Sequence, residues 1–103
     1  MVTGRTPRVV SRSLRVIGEY LCTWRKLRKL TIAQVADRAG IGVNTVKRLE
    51  SGHGATLENT LRVARALGVL DVITEALDPY ASDVGRLRSE ENLPQRVRPR
   101  RTL

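Results

Sequence analysis

The sequence is poor in aromatic residues and contains no phenylalanine. Trp24, Tyr20 and Tyr80 are its three aromatic residues, so any core must consist of Leu, Ile, Val and Ala. The single cysteine, Cys22, excludes an internal disulfide and fits a reducing compartment. No apolar run approaches the roughly 18–20 residues that a membrane helix requires, and no secretory pattern opens the chain. These absences predict a cytoplasmic protein without a membrane segment.

Residue patterns typical of enzymes and metal sites are also missing. His53 is the sole histidine, and we expect no carboxylate, cysteine or serine to be placed around it for catalysis. Cys22 has no CxxC partner, and no paired carboxylates or Gly-rich phosphate loop occur. A domain this small and aromatic-poor rarely provides a substrate pocket. We therefore predict no catalytic residue, no metal and no cofactor.

Positive charge is concentrated at the two ends of the chain. The net charge of +9 divides into +4 for residues 1–15, +1 for residues 16–85 and +4 for residues 86–103. Such ends favour a polyanionic partner, which could be nucleic acid, an acidic protein face or a membrane surface. Basic tails that merely keep the chain soluble are the alternative. We predict a disordered arm over residues 1–12, a folded domain over residues 13–79 and a basic tail over residues 80–103, partly helical or disordered.

The region between the tails shows helical periodicity in five segments. The first helix is predicted to begin at the N-cap Ser13, with an apolar inner stripe formed by Leu14, Ile17, Leu21 and Trp24. The second and fourth helices are predicted to begin at the caps Thr31 and Thr56 and to end at Gly40 and Gly68. The fourth buries Leu57, Leu61, Ala64 and Leu67. The third helix follows Gly42, and the fifth spans about residues 70–77.

Residues 32–51, with the sequence IAQVADRAGIGVNTVKRLES, carry the most specific pattern. The small residue Ala36 lets two helix backbones approach, and Gly40 allows the positive φ of a tight turn. Five apolar positions would seal the corner between the helices: Val35, Ala39, Ile41, Val46 and Leu49. The combination predicts a helix-turn-helix. Two unrelated helices in an α-helical bundle are the alternative.

The chain from about residue 21 to residue 77 resembles the DNA-binding domain of the phage-repressor and Cro-like family, also called the XRE family. The segments that carry the resemblance are LTIAQVADRAG, IGVNTVKRLESG and TLENTLRVARALGV, with Leu21 and Arg25 in the first helix. It implies an all-α, five-helix lambda-repressor-like domain, here with flexible basic N- and C-terminal arms, usually dimeric and with its third helix in the major groove. Two positions depart from the family pattern. Ile32 stands where a phosphate-holding glutamine is common, and Gly42 where a Ser or Thr cap is common.

The resemblance also implies roles for individual residues. Base contacts fall to the outward side chains of the third helix: Val43, Asn44, Lys47 and Arg48. Their chemistry fits, because Arg and Lys bond guanine, Asn pairs with the adenine edge and Val contacts the thymine methyl. Phosphate contacts are predicted for Gln34, Thr45, Ser51 and His53. Arg25 and Glu50 look like the family's arginine–glutamate pair, which would lock the first helix to the end of the third. An exposed pair that stabilises little is the alternative.

Two functions follow as hypotheses. The first is a sequence-specific regulator of transcription, a homodimeric repressor that reads an inverted repeat in double-stranded DNA. Leu70, Ile73 and Leu77 are its predicted dimer interface, because they exceed what so small a core needs. The second is an antitoxin-type module whose residues 83–103 bind a toxin, for example a HipA-like kinase, while the domain represses its own operon. That tail is similar to the tails of HipB-like regulators.

Overall fold

The structure is a computed structural model that describes residues 4–81 and 83–91. Those residues form six α-helices and one 3-10 turn: α1 (Arg8–Leu27), α2 (Ile32–Ala39), α3 (Val43–Glu50), α4 (Leu57–Leu67), α5 (Leu70–Leu77), the turn Pro79–Ala81 and α6 (Asp83–Glu91). The predicted all-α fold is confirmed. The described residues divide into two compact units, one that ends at Leu70 and one that begins at Asp71. None of the helices in the described ranges combines the length and hydrophobicity of a membrane span.

The helix boundaries around the predicted turn follow from local capping. Thr31 Oγ1 accepts a hydrogen bond from the Gln34 amide at 3.0 Å, and Gln34 Oε1 accepts one from the Thr31 amide at 2.8 Å. This reciprocal capping box satisfies two donors at the start of α2. At the start of α4, Thr56 Oγ1 accepts one hydrogen bond from the Asn59 amide at 3.0 Å. Gly40 ends α2 with a φ of 71°, which reverses the chain into α3. The caps predicted for α2 and α4 are confirmed.

The core of the first unit is aliphatic, as the composition requires. α2 packs against α3 and α4, and α1 packs against α3 and α4. Ten apolar side chains are buried between them: Leu21, Val35, Ala36, Ala39, Val46, Leu49, Val63, Ala64, Leu67 and Val69. The small Ala36 and Ala39 sit on the face of α2 that meets the neighbouring helices. The two short helices are therefore fixed to each other and to a shared core.

The start of α1 differs from the prediction. The helix begins at Arg8, and the carbonyl of its N-cap Pro7 accepts hydrogen bonds from the amides of Val10 and Ser11 at 3.0 Å. Ser13 lies inside the helix, where its hydroxyl donates to the Val9 carbonyl at 2.9 Å. The N-cap prediction for Ser13 is wrong, and so is disorder over residues 8–12. The added turns contain the apolar Val9 and Val10, but both are exposed, and the good helix propensity of arginine extends the helix there. Residues 1–3 lie outside the described residues.

The inner face of α1 also differs from the predicted stripe. Leu21 is buried, but Ile17 is 48% and Trp24 39% exposed. Gly18 is buried in their place, and a Cβ there would lie 2.8 Å from the Glu50 carbonyl oxygen and closer still to that of Leu49. Glycine has no side chain to register in a hydrophobic pattern, yet it lets the backbone of α1 touch the end of α3. The Arg28 guanidinium lies over the exposed Trp24 ring, 5.4 Å from its centroid.

The inner face of α4 is rotated relative to the prediction. Leu57 is 72% exposed and Leu61 is half-buried, whereas Ala64 and Leu67 are buried as predicted. Val63, which was not predicted to be buried, is 1% exposed and lies beside Ala64 and Leu67 in the core. The bounds of the helix are those that Thr56 and Gly68 predicted. Capping therefore located the helix correctly, whereas apolar spacing alone misplaced its buried face.

The second unit contains most of α5, the 3-10 turn and α6. α6 packs against the turn Pro79–Ala81. Its Val84 and Leu87 are 65% and 55% exposed. This helix, from Asp83 to Glu91, lies in the tail that the sequence predicts as partly helical or disordered. The predictions made for the remainder of the basic tail, residues 92–103, lie outside the described residues.

Candidate nucleic-acid interface

The outer face of α3 presents polar and cationic side chains. Asn44, Lys47 and Arg48 are exposed and Val43 is 39% exposed, whereas Val46 and Leu49 on the opposite side are almost fully buried. Residues three and four apart lie on one side of a helix, so these four form one surface. We call it the recognition face. Because the back of α3 is buried, the helix cannot rotate to hide it.

The side chains of this face are available for a ligand. Within the described residues, the side chains of Asn44, Lys47 and Arg48 make no hydrogen bond or ion pair. Two cations with several donors and one amide therefore point away from the protein from a helix of eight residues. An α-helix of this kind fits the major groove of B-DNA, where arginine, lysine and asparagine bond base edges. Thr45 is half-buried at the margin of the face, and its predicted phosphate contact stays a prediction.

Both helix starts near this face offer donors to an anion. Gly42 caps α3 with no side-chain hydrogen bond, so the first amides of α3 remain open to a phosphate. Gln34 is exposed, and its Oε1 is held by the Thr31 amide. That bond directs the carboxamide and leaves its nitrogen as the donor for a phosphate. The predicted phosphate contact of Gln34 is thus sterically open.

The loop after α3 orders a second pair of polar side chains. Ser51 Oγ donates to the Arg48 carbonyl at 3.1 Å and lies 2.9 Å from His53 Nδ1. The Ser51 hydroxyl and the His53 ring are thus joined by a hydrogen bond. The expectation that no serine lies beside His53 is wrong, because the turn brings these two residues together.

A bidentate ion pair holds the end of α3. Arg25 Nε donates to Glu50 Oε2 at 2.7 Å and Nη2 donates to Oε1 at 3.1 Å. The two side chains are 13% and 10% exposed, so the pair is largely buried. Arg25 also donates from Nη1 to the Leu30 carbonyl at 3.0 Å. The hydrogen bonds to Glu50 raise the pKa of Arg25 above its ordinary value, against the opposing effect of burial. One guanidinium thus connects α1, the chain before α2 and the last residue of α3.

Comparison with known proteins agrees with this geometry. Residues 23–70 match the family model described as helix-turn-helix. This part of the chain is therefore a helix-turn-helix domain of the XRE type. Over 68 residues it is 40% identical to the cryptic phage CTXphi transcriptional repressor RstR of Vibrio cholerae serotype O1, and the match covers 65% of this chain and 59% of that repressor. The chain therefore spans less than two thirds of the length of this relative. No solved structure matches it.

Two glycines of the helix-turn-helix region were missed by sequence reasoning. Gly18 lets α1 touch the carbonyls at the end of α3, and Gly52, with a φ of 87°, would place a Cβ 2.8 Å from Arg15 Cγ. Neither residue gives a hydrophobic signal. The available signal is indirect. The family resemblance pairs Arg25 of α1 with Glu50 of α3. Position 18 lies two turns before Arg25 on the same face of α1, so it is expected to meet α3 as well.

The three residues predicted to form the dimer interface differ in exposure. Leu70 and Ile73 are half-buried, and Leu77 is 79% exposed. Leu77 therefore offers free apolar surface, whereas the other two are partly covered. In the described ranges of this helix-turn-helix protein, no group of three or more His, Cys, Asp or Glu residues is placed to hold a metal.

Proposed function

We propose that this protein is a sequence-specific, double-stranded-DNA-binding regulator of transcription that inserts α3 into the major groove. The observation that carries the proposal is the recognition face: exposed, unpaired side chains on a helix whose back is buried and whose end is held by Arg25 and Glu50. The cytoplasmic location predicted from the sequence belongs to this proposal, because a regulator must reach DNA.

The decisive experiment is selection of bound fragments from random duplex DNA with the purified chain. A shared sequence word is expected, and Arg48→Ala should lose about 1–3 kcal/mol on that word and relax preference at one position. Arg65→Ala is the matched control, because Arg65 is an exposed arginine on α4. Enrichment of no common word, or equal losses on random DNA for Arg48→Ala, would contradict base reading by α3.

The finer form of the proposal is a homodimeric repressor on an inverted repeat. A relative of this chain is a phage repressor, and Leu77 is largely exposed. Two copies related by a two-fold axis would present two α3 helices to half-sites about 34 Å apart, one turn of DNA. Sedimentation at micromolar concentration should give twice the chain mass, and Leu77→Asp should reduce it to that of one chain. A monomeric wild type that binds a single half-site would refute the dimer.

A second candidate function is the antitoxin-type module. The observation that favours it is the exposure of Val84 and Leu87, which lie three residues apart on α6 and give that helix an uncovered apolar side. A toxin would cover this side, and residues 83–103 would fold against the toxin. Co-purification from the native host should recover one stoichiometric partner with the full chain and lose it when residues 83–103 are removed. Recovery independent of those residues would refute this function.

A further inference from the structure

The extra turns at the start of α1 carry a cluster of arginines. Arg8, Arg12 and Arg15 follow one another at spacings of four and three residues, so they share one side of the helix. All three are exposed, and their side chains make no hydrogen bond or ion pair within the described residues. Glu19 is the first acidic residue of the chain, so nothing on these turns neutralises them. We call this surface the arginine face; it precedes the helix-turn-helix match, which begins at residue 23.

The arginine face is attached to the loop that follows α3. A Cβ on Gly52 would lie 2.8 Å from Arg15 Cγ and 3.0 Å from Arg15 Cα, and one on Gly54 would lie 3.6 Å from Leu14 Cδ2. Leu14 and Arg15 of α1 therefore lie against Gly54 and Gly52 of this loop. The loop also holds Ser51 and His53, and Ser51 continues the side of α3 that carries Asn44 and Lys47. Polar surface thus extends from the recognition face, across the loop, to Arg15, and Arg12 and Arg8 continue it along the same side of α1.

We propose that Arg8, Arg12 and Arg15 form a second DNA-binding site, which grips the phosphate backbone beside the bases that α3 reads. The site rests on the proposed function and deepens it. Seven residues of α-helix span about 10 Å, and each DNA strand carries one charge per roughly 3.4 Å of axis. The face therefore carries three cations over a length comparable to that of a few phosphates of one strand. Its continuity with the recognition face favours DNA over an acidic protein as the ligand.

The test compares salt dependence of binding for two doubly substituted chains. Arg8→Ala/Arg12→Ala removes two arginines without disturbing Arg15, whose stem packs on Gly52. The plot of log affinity against log salt has a negative slope, and each lost phosphate contact makes it less steep by about 0.9. For two lost contacts we expect the slope to become less steep by about 1.8. If the affinities converge at 1 M salt, this corresponds to a loss of roughly 60-fold at 0.1 M. The loss should be the same on the selected sequence and on a scrambled duplex.

The matched control is Arg38→Ala/Arg65→Ala. It removes the same charge from two exposed arginines on α2 and α4 whose side chains have no partner among the described residues. We expect the control to keep the wild-type slope and the first variant to keep the wild-type base preference. A wild-type slope in Arg8→Ala/Arg12→Ala, or an equal change in the control, would overturn the site. Failure of the wild type to bind any duplex would instead refute the proposed function. Circular dichroism of both variants serves as the control for folding.

Discussion

Breaking the pair between Arg25 and Glu50 tests how the recognition face is held in place. Arg25→Met leaves the Glu50 carboxylate without its two donors and the Leu30 carbonyl without its 3.0 Å partner. Glu50→Leu leaves the guanidinium with its bonds to the Leu30 carbonyl and to Cys22 Sγ. Methionine and leucine fill similar space with apolar atoms, so each variant removes the charge without opening a large cavity.

The expected magnitude follows from the burial of the pair. Exposed ion pairs contribute about 0.2–1 kcal/mol, whereas removing one partner of a fully buried pair costs about 3–5 kcal/mol. With side chains 13% and 10% exposed, we expect the residual solvent contact to reduce the cost for Arg25→Met to about 2–4 kcal/mol. Glu50→Leu should cost about 1–3 kcal/mol, because the longer arginine can still reach water.

The assay is urea unfolding of the wild type, both single variants and the double variant. The double variant replaces the pair by two apolar side chains, which is often close to neutral. Its loss should therefore be smaller than the sum of the single losses, with a coupling of about 1–3 kcal/mol. Binding to a selected DNA sequence should weaken in both single variants because α3 is less well fixed.

Additive single losses, each below about 1 kcal/mol, would refute this reasoning. They would show that Arg25 and Glu50 behave as an exposed pair and that packing alone orients α3. Preserved stability with impaired DNA binding would likewise contradict a structural role, since it would make the Arg25 guanidinium a ligand contact.

Two further substitutions test the local structure. Gly18→Ala places a Cβ against backbone carbonyls of α3 that cannot rotate away, so the free energy of unfolding should fall by about 1–3 kcal/mol. The control Gly42→Ala, with no atom within 4 Å of its Cβ, should change the free energy of unfolding by less than about 1 kcal/mol. Equal losses in the two variants would refute close contact at Gly18. Thr31→Ala removes the cap of α2 and should cost about 1 kcal/mol, whereas Thr31→Ser should stay near wild type; urea midpoints that do not separate Ala from Ser would show that the cap contributes nothing.

Much of the candidate site was predictable because its signals are local or paired. Thr31, Gly40 and Gly42 fixed the bounds of α2 and the start of α3. The outward position of Asn44, Lys47 and Arg48 then follows from the spacing of Val46 and Leu49. The roles of these side chains toward bases and phosphates stay predictions, since they depend on a ligand.

The sequence by itself determined the helices that begin and end at caps, because a cap acts on amides only three or four residues away. Only the tertiary structure decided which side of α1 faces inward, since the contact there is made by Gly18, a residue without a side chain, against carbonyls more than 30 residues further along the chain. It likewise revealed that α1 starts at Arg8 and that Arg15 lies beside the loop after α3. Hydrophobic periodicity did not show this, because Val9 and Val10 of the added turns are exposed and arginine extends a helix through backbone propensity alone.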